Sequence, residues 1–266
     1  MIDVSACNGC HNCQIACKDE HVGNDWTPYA KPQPETGQFW LKLTENVRGT
    51  VPKVKVAYVP ILCNHCRDAP CMASCKMDAI YRRDDGLVII DPVKCTGCRN
   101  CVDACPYNVI YFNQGLNIAQ KCTGCAHLLD SGWKEPRCVD ACPTLAIKFM
   151  EESEAQAFIS NAEVIKPERR TQDEPRVYYK SLPKRFIAGT VYDPVEKEVV
   201  IGAHVTLTRV GRRSRRDVRT DSYGDFWFEE LEVGKFNLRI EKDGKSRAFE
   251  NITTEQDVNL GDIPLA

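Results

Sequence analysis

The sequence predicts an α+β protein in two parts. A cysteine-rich region of tandem short repeats covers residues 1–180, and an all-β antiparallel sandwich or barrel covers 185–266. Three observations predict this division. All sixteen cysteines lie between Cys7 and Cys142, and the last 124 residues hold none. The sixteen fall into four quartets of similar spacing. Beyond residue 185, short apolar runs alternate with polar residues and are punctuated by Gly and Asp-Gly turn signals.

The quartets come first along the chain. Cys7, Cys10, Cys13 and Cys17 read C-x2-C-x2-C-x3-C. Cys63, Cys66, Cys71 and Cys75 read C-x2-C-x4-C-x3-C. Cys95, Cys98, Cys101 and Cys105 repeat the first spacing and are followed by Pro106. Cys122, Cys125, Cys138 and Cys142 read C-x2-C-x12-C-x3-C, followed by Pro143. The first spacing with its proline is the bacterial ferredoxin signature, in which the fourth cysteine ligates the other cluster of a pair. Three thiolates on a tight loop can point at one cube, while the fourth stands where a short helix begins and faces the next. Gly9, Gly97 and Gly124 fall inside these loops, where the backbone must bend closely around sulfide.

Blander readings of the same residues fare worse. Zinc ribbons use C-x2-C pairs but do not need the third and fourth cysteines at these spacings. Neighbouring C-x2-C thiols seldom pair as structural disulfides. Cys7-Asn8-Gly9-Cys10-His11 matches a haem-attachment pattern, yet Cys13 and Cys17 continue the ferredoxin spacing, which leaves His11 as a loop residue.

The elements between quartets read as hairpins. Ile80-Tyr81, then Asp84-Asp85-Gly86, then Leu87 to Ile90 make one. Val109 to Phe112, Gly115, and Leu116 to Ala119 make a second, and Ala146 to Met150 gives one more apolar strand. Glu151 to Pro183 is charged, carries Pro167, Pro175 and Pro183, and reads as a connecting segment. From Arg185 the pattern is strand throughout: Ile187 to Tyr192, Ala203 to Thr208, Phe226 to Phe228 and Phe236 to Ile240, with a hairpin signal at Asp243-Gly244. About seven short strands suit a small sandwich or barrel.

Composition narrows the function. A chain of 266 residues with 43% hydrophobic and 27% charged residues is globular. A net charge of −2 supplies no bulk attraction for nucleic acid or an anionic membrane. Arg209, Arg212, Arg213, Arg215, Arg216 and Arg219 form a basic cluster between two strands, but Asp217 interrupts it, so a solvated hairpin or an acidic docking partner is expected there. Only six residues precede Cys7, too few for a signal peptide, and runs such as Leu87-Val88-Ile89-Ile90 are too short to span a bilayer. A soluble, cytoplasmic protein is expected, with export on a partner's signal as the other route open to it. No G-x-G-x-x-G follows a strand, and no nucleophile–base constellation is visible, so no catalytic residue is expected in this chain.

These quartets resemble the four-cluster ferredoxin-type subunits that serve molybdopterin oxidoreductases of the dimethyl-sulfoxide-reductase type, over roughly residues 1–180. The resemblance implies two paired ferredoxin units, 1–58 with 106–150 and 59–105, holding four [4Fe–4S] clusters. It implies that Cys7, Cys10 and Cys13 bind one cube with Cys142, and that Cys17 joins Cys122, Cys125 and Cys138. Cys63, Cys66 and Cys71 would join Cys105, and Cys95, Cys98 and Cys101 would join Cys75. Lys18, Arg67, Lys94, Arg99, Lys121 and Arg137 stand next to ligands, where they either tune cluster potentials or simply solvate the surface. The stretch Thr220 to Phe228, with Leu231, Gly234, Phe236 and Leu238, resembles carboxypeptidase-regulatory or transthyretin-like β domains.

The resemblance implies a non-catalytic electron-transfer subunit paired, as a heterodimer or a multiple of one, with a large subunit. That subunit would carry molybdenum and molybdopterin guanine dinucleotide. The order of the two regions most resembles the small subunits of anaerobic polyphenol transhydroxylases. Two alternatives remain open at this stage. One is a free-standing polyferredoxin, stable without a partner. The other is an adapter for a quinone-linked reductase, in which loss of Tyr192 to Ala266 would abolish binding to a membrane subunit.

Overall fold

Loops that must wrap a cluster leave little room for long elements. The computed structural model, which describes residues 1–167 and 173–266, is accordingly built mostly of strands with few, short helices. It divides into two units. The first is Met1–Glu45 with Ala57–Leu182, and the second is Asn46–Val56 with Pro183–Ala266. The stretch Asn46–Val56, which the sequence reading leaves in the first region, clusters with the second.

In the first unit, β1 (Ile2–Asp3) precedes α1 (Asn12–His21). A long hairpin, β2 (Leu41–Thr50) and β3 (Lys53–Leu62), follows. Then come α2 (Pro70–Ala73), β4 (Ile80–Arg82), β5 (Val88–Ile90), α3 (Asn100–Ala104), β6 (Tyr111–Asn113) and β7 (Ile118–Gln120). The unit closes with α4 (Ala126–Asp130), α5 (Arg137–Asp140), α6 (Glu152–Ile159) and β8 (Tyr179–Lys180). Helices α1 and α5 pack together, as do α2 and α3, and each of these four carries the third cysteine of its quartet. The cysteines are themselves part of two apolar cores. Cys13, Cys17 and Cys138 sit with Ile2, Trp40, Leu41 and Tyr179. Cys63, Cys66, Cys71, Cys101 and Cys105 sit with Ile80, Val88, Ile90 and Ile110.

The hairpin after Cys75 forms as expected, Tyr81 facing Ile89. In the next one each strand begins two residues later than expected and ends one later, Phe112 facing Ala119, because the Asn113 carboxamide accepts the Leu116 N–H at 3.1 Å and places the turn there. Ala146 to Met150 is not a strand. It makes one antiparallel bridge, Ile147 to Ile2, and its ladder stops because β1 is only two residues long. The stretch Glu151 to Pro183, read as a connector, holds α6 and β8, and β8 pairs in parallel with β1. Its residues 168–172 lie outside the described residues.

The second unit contains the other seven strands: β9 (Arg185–Tyr192), β10 (His204–Arg209), β11 (Arg215–Arg219), β12 (Asp225–Leu231), β13 (Lys235–Lys242), β14 (Lys245–Thr253) and β15 (Val258–Pro264). One sheet runs β11-β10-β13-β14 and the other β12-β9-β15. Strand β13 alternates exposed and buried residues, as a strand with one wet face must. Val205, Leu207, Leu238 and Ile240 of the first sheet share a core with Ile187, Val191, Phe226, Phe228 and Ile263 of the second. Two expectations are corrected. The two sheets do not close into a barrel, and the unit is not wholly antiparallel, because β15 returns alongside β9 in the same direction, Val258 facing Ile187. Of the basic cluster, Arg212 and Arg213 lie between strands as expected, while Arg209 ends β10 and Arg215, Arg216 and Arg219 belong to β11, an edge strand whose charges discourage pairing with another chain.

The hairpin end Asn46–Val56 is stitched into this unit by charge. Arg48 Nη1 donates to the Lys184 carbonyl at 2.6 Å and meets Asp257 at 3.3 Å. The buried Lys53 ammonium pairs with Asp225, and Lys55 pairs with Glu229 at 2.8 Å.

Candidate cluster-binding sites

The C-x2-C-x2-C loops need left-handed backbone to reverse within two residues. Gly97 has φ +74°, and a Cβ there would lie 2.3 Å from the Asn117 carbonyl oxygen, so only glycine fits. His11 and Arg99, just before α1 and α3, are also left-handed and turn the chain from loop into helix. These turns aim the thiols inward.

The inward thiols sort into four cavities, each lined by one quartet. Cys7, Cys10, Cys13 and Cys142 line the first, with Pro60 and Ile147 behind them. Cys17, Cys122, Cys125 and Cys138 line a second, larger cavity, which Cys63 also borders. Cys63, Cys66, Cys71 and Cys105 line a third. Cys75, Cys95, Cys98 and Cys101 line the fourth. The first, third and fourth are small and of nearly the same size. All sixteen thiols are free.

The donor set suits iron–sulfur cubes. Backbone N–H groups of His65, Ala119 and Gly124 donate to the sulfurs of Cys63, Cys95 and Cys122, each at 3.4 Å, which stabilises thiolate over thiol. Burial works against this and, with the neighbouring thiols, pushes Cys13 up to about 11 and Cys101 and Cys125 up to about 12. Cys17, Cys66 and Cys138 are raised further by the same causes. Cys142 runs the other way: burial raises it, but donors from Ile147, Thr144 and Ala146 together outweigh that and lower it. Four buried thiolates facing one another are stable only around a cationic core, which the iron of a cube supplies.

The basic residues beside the ligands differ in setting. Lys94, Arg67 and Arg99 are exposed, Arg67 pairing with Glu152 and Arg99 lying 3.8 Å over the Phe112 ring. Lys18 donates to the Pro34 and Gly37 carbonyls, and Arg137 binds Asp140 at 2.5 Å and Glu20 at 3.3 Å. Lys121 alone of the six is buried. Its ammonium donates to the carbonyls of Val88 and, at 3.0 Å, Cys122.

Sequence reasoning passed over a ring cluster beside the second cavity. His21 lies 4.5 Å from Trp40 and 5.4 Å from His127, and His127 stacks on Trp26 at 4.2 Å. His127 Nε2 meets the Glu20 carboxylate at 3.0 Å. Burial, with His127 beside it, pulls His21 down to about 3. His65, burdened by burial and by the positive charge of Lys121, is also well below its usual range. Both rings stay neutral at physiological pH. The only signal in sequence was their proximity to Cys17 and Cys66.

Two family models match the chain: a 4Fe-4S dicluster domain over residues 54–152 and a carboxypeptidase regulatory-like domain over 187–266. The pyrogallol hydroxytransferase small subunit of Pelobacter acidigallici is 38% identical, covering 100% of this chain and 98% of that protein. The iron–sulfur subunit ArrB of the arsenate respiratory reductase of Shewanella sp. strain ANA-3 is 31% identical over 67% of this chain and 94% of its own length. The thiosulfate reductase electron transfer subunit PhsB of Salmonella typhi is 34% identical over 66% of this chain and 88% of its own length. Among the described residues no helix is long and apolar enough to cross a membrane.

Proposed function

The chain belongs to the iron–sulfur subunits of the molybdopterin oxidoreductases, and we propose that it carries four [4Fe–4S] clusters and serves a large subunit that transfers a hydroxyl between polyphenols, as in pyrogallol–phloroglucinol transhydroxylation. The sorting of sixteen thiols into four separate quartets carries the cluster number. The likeness to the Pelobacter small subunit, which runs through the β domain as well as the cysteine region, supports the specific reaction. The shorter-matching reductase subunits support only the family.

In this reading the ligands are those of the four cavities: Cys7, Cys10, Cys13 and Cys142; Cys17, Cys122, Cys125 and Cys138; Cys63, Cys66, Cys71 and Cys105; Cys75, Cys95, Cys98 and Cys101. When bound, such clusters take up and release single electrons. The chain's own residues hold the thiolates of Cys63, Cys95 and Cys122 with backbone N–H donors, and shield the sulfurs from water with Ile80, Val88, Trp40 and Tyr179. The molybdenum site and the aromatic substrate belong to the partner, and the reducing setting that the thiolates require points to the cytoplasm.

The test is metal and sulfide analysis of the protein purified anaerobically with any chain that accompanies it. About sixteen iron per chain, with molybdenum in a larger chain that converts pyrogallol, is expected. Full iron without molybdenum or partner would favour the free polyferredoxin, and zinc in place of iron would end the reading.

A further inference from the structure

One peptide of β5 holds two buried polar side chains between the second and third cavities. The Val88 N–H donates to His65 Nδ1 at 3.0 Å, and the Val88 carbonyl accepts from the Lys121 ammonium. Val88 itself is buried, and so are both side chains. Because Nδ1 accepts, the proton of the neutral ring sits on Nε2. That Nε2 is buried and has no partner among the described residues. His65 lines both the large second cavity and the third, as Cys63 does.

Lys121 completes the junction. Its ammonium is bonded only to two carbonyls, and no carboxylate pairs with it among the described residues. A buried ammonium without a counter-charge is costly, so negative charge must stand close by. Through these two carbonyls the ammonium stands beside Cys122, which lines the second cavity, and Val88, which lines the third.

We propose that His65 Nε2–H and the Lys121 ammonium, both fixed by Val88, are the positioning groups that set the reduction potential at the junction of the second and third clusters. The proposal rests on the ligand reading above. Reduction adds one negative charge to a cube, and a nearby ammonium or an N–H aimed at sulfur stabilises that added charge and raises the potential. The two residues therefore keep this junction easier to reduce than the same thiolates would make it alone.

The test is an EPR-monitored redox titration of the intact chain, purified anaerobically with any chain bound to it, with iron counted in every sample. Lys121→Met removes the charge. Lys121→Arg keeps it. His65→Asn keeps an acceptor for the Val88 N–H but deletes the far donor. With iron retained, Lys121→Met should lower at least one of the four midpoints until the reduced-to-oxidised ratio at the wild-type midpoint falls about tenfold, 59 mV for a one-electron couple. Lys121→Arg should stay within about twofold of wild type, and His65→Asn should move the same signal about threefold in the same direction.

Unchanged midpoints in Lys121→Met and His65→Asn would overturn the proposal, as would an equal shift in Lys121→Arg. If Lys121→Met loses iron, His65→Asn decides by the same criterion. Loss of iron in both would also overturn it, since the residues would then hold the fold and not a potential. A wild-type chain without about sixteen iron would sink the ligand reading first, and the inference with it.

Discussion

Replacing Asp225 by alanine should weaken the second unit by leaving a buried ammonium without its partner. The Lys53 side chain is 5% exposed and its ammonium pairs with the Asp225 carboxylate, which is 22% exposed. Thr190 Oγ1 also donates to that carboxylate at 2.6 Å. Removing one partner of a buried pair costs about 3–5 kcal/mol, because the other charge stays buried and alone. Two features reduce the figure here. Asp225 is partly wet, and the stranded ammonium keeps the Trp227 ring at 5.8 Å, worth about 0.5–1 kcal/mol. A net loss of about 2–3 kcal/mol is expected, which for a unit of this size lowers its melting temperature by about 10 °C or more. Calorimetry on the intact, iron-loaded chain would follow the β unit's transition. The double replacement Lys53→Met with Asp225→Leu should recover most of the loss, because it leaves no orphaned charge. The carboxylate's pKa is lowered: burial raises it, but Lys53 and Thr190 outweigh that. Its contribution is therefore present above the unfolded carboxyl value near 4 and is lost as the pH falls through the lower folded value. A change within about 0.5 kcal/mol for Asp225→Ala, the range of an ordinary surface site, would refute the reasoning.

Three further outcomes are expected. Gly97→Val forces a Cβ against the Asn117 carbonyl and an unfavourable φ at once, so the chain should lose about four of its iron atoms, read by iron assay. Tyr179→Phe removes a buried hydroxyl that donates to the Pro60 carbonyl at 2.8 Å and should cost about 1–1.5 kcal/mol in denaturant unfolding. His21, held down to about 3, binds its proton more weakly folded than unfolded. Its contribution to stability is present above the unfolded value near 6.5 and falls by up to about 1.4 kcal/mol per pH unit as pH drops below it. Urea midpoints at pH 7.5 and 5.5 should therefore converge in His21→Phe relative to wild type.

The four quartets could be read from spacing alone, because a loop that wraps a cube fixes how many residues separate its ligands. Which cysteine crosses to which neighbour came from resemblance, since a gap of dozens of residues carries no distance information. The hairpin after Cys75 was legible because Asp84-Asp85-Gly86 states its turn. The one after Cys105 begins later than its pattern suggests because its turn is set by the Asn113 side chain, which periodicity does not record. The β2–β3 hairpin was missed although Leu41-Lys42-Leu43 alternates, and Gly49 stands two residues before its Val51-Pro52 turn. The parallel pairing of β15 with β9 was beyond reach, since alternation tells which face is wet and nothing about strand direction. The link from His65 and Lys121 to Val88 was hidden for the same reason: it is long-range, and the sequence shows only that each neighbours a ligand.

The second unit draws Asn46–Val56 from far upstream, which orders events on the ribosome. Roughly 130 residues separate that stretch from Pro183. At about 5–20 residues per second the wait between them is on the order of ten seconds. Throughout that interval Lys53 and Arg48 have been made, but Asp225 and Asp257 have not. The nascent chain thus carries a half-finished hairpin, with Val47 and Val51 on it, whose charged partners arrive only near the end of synthesis. A fragment begun at Pro183 would meet the complementary problem, with Asp225 and Asp257 made and their cations absent. The two segments should therefore reassemble better when expressed on one chain than when mixed as separate pieces.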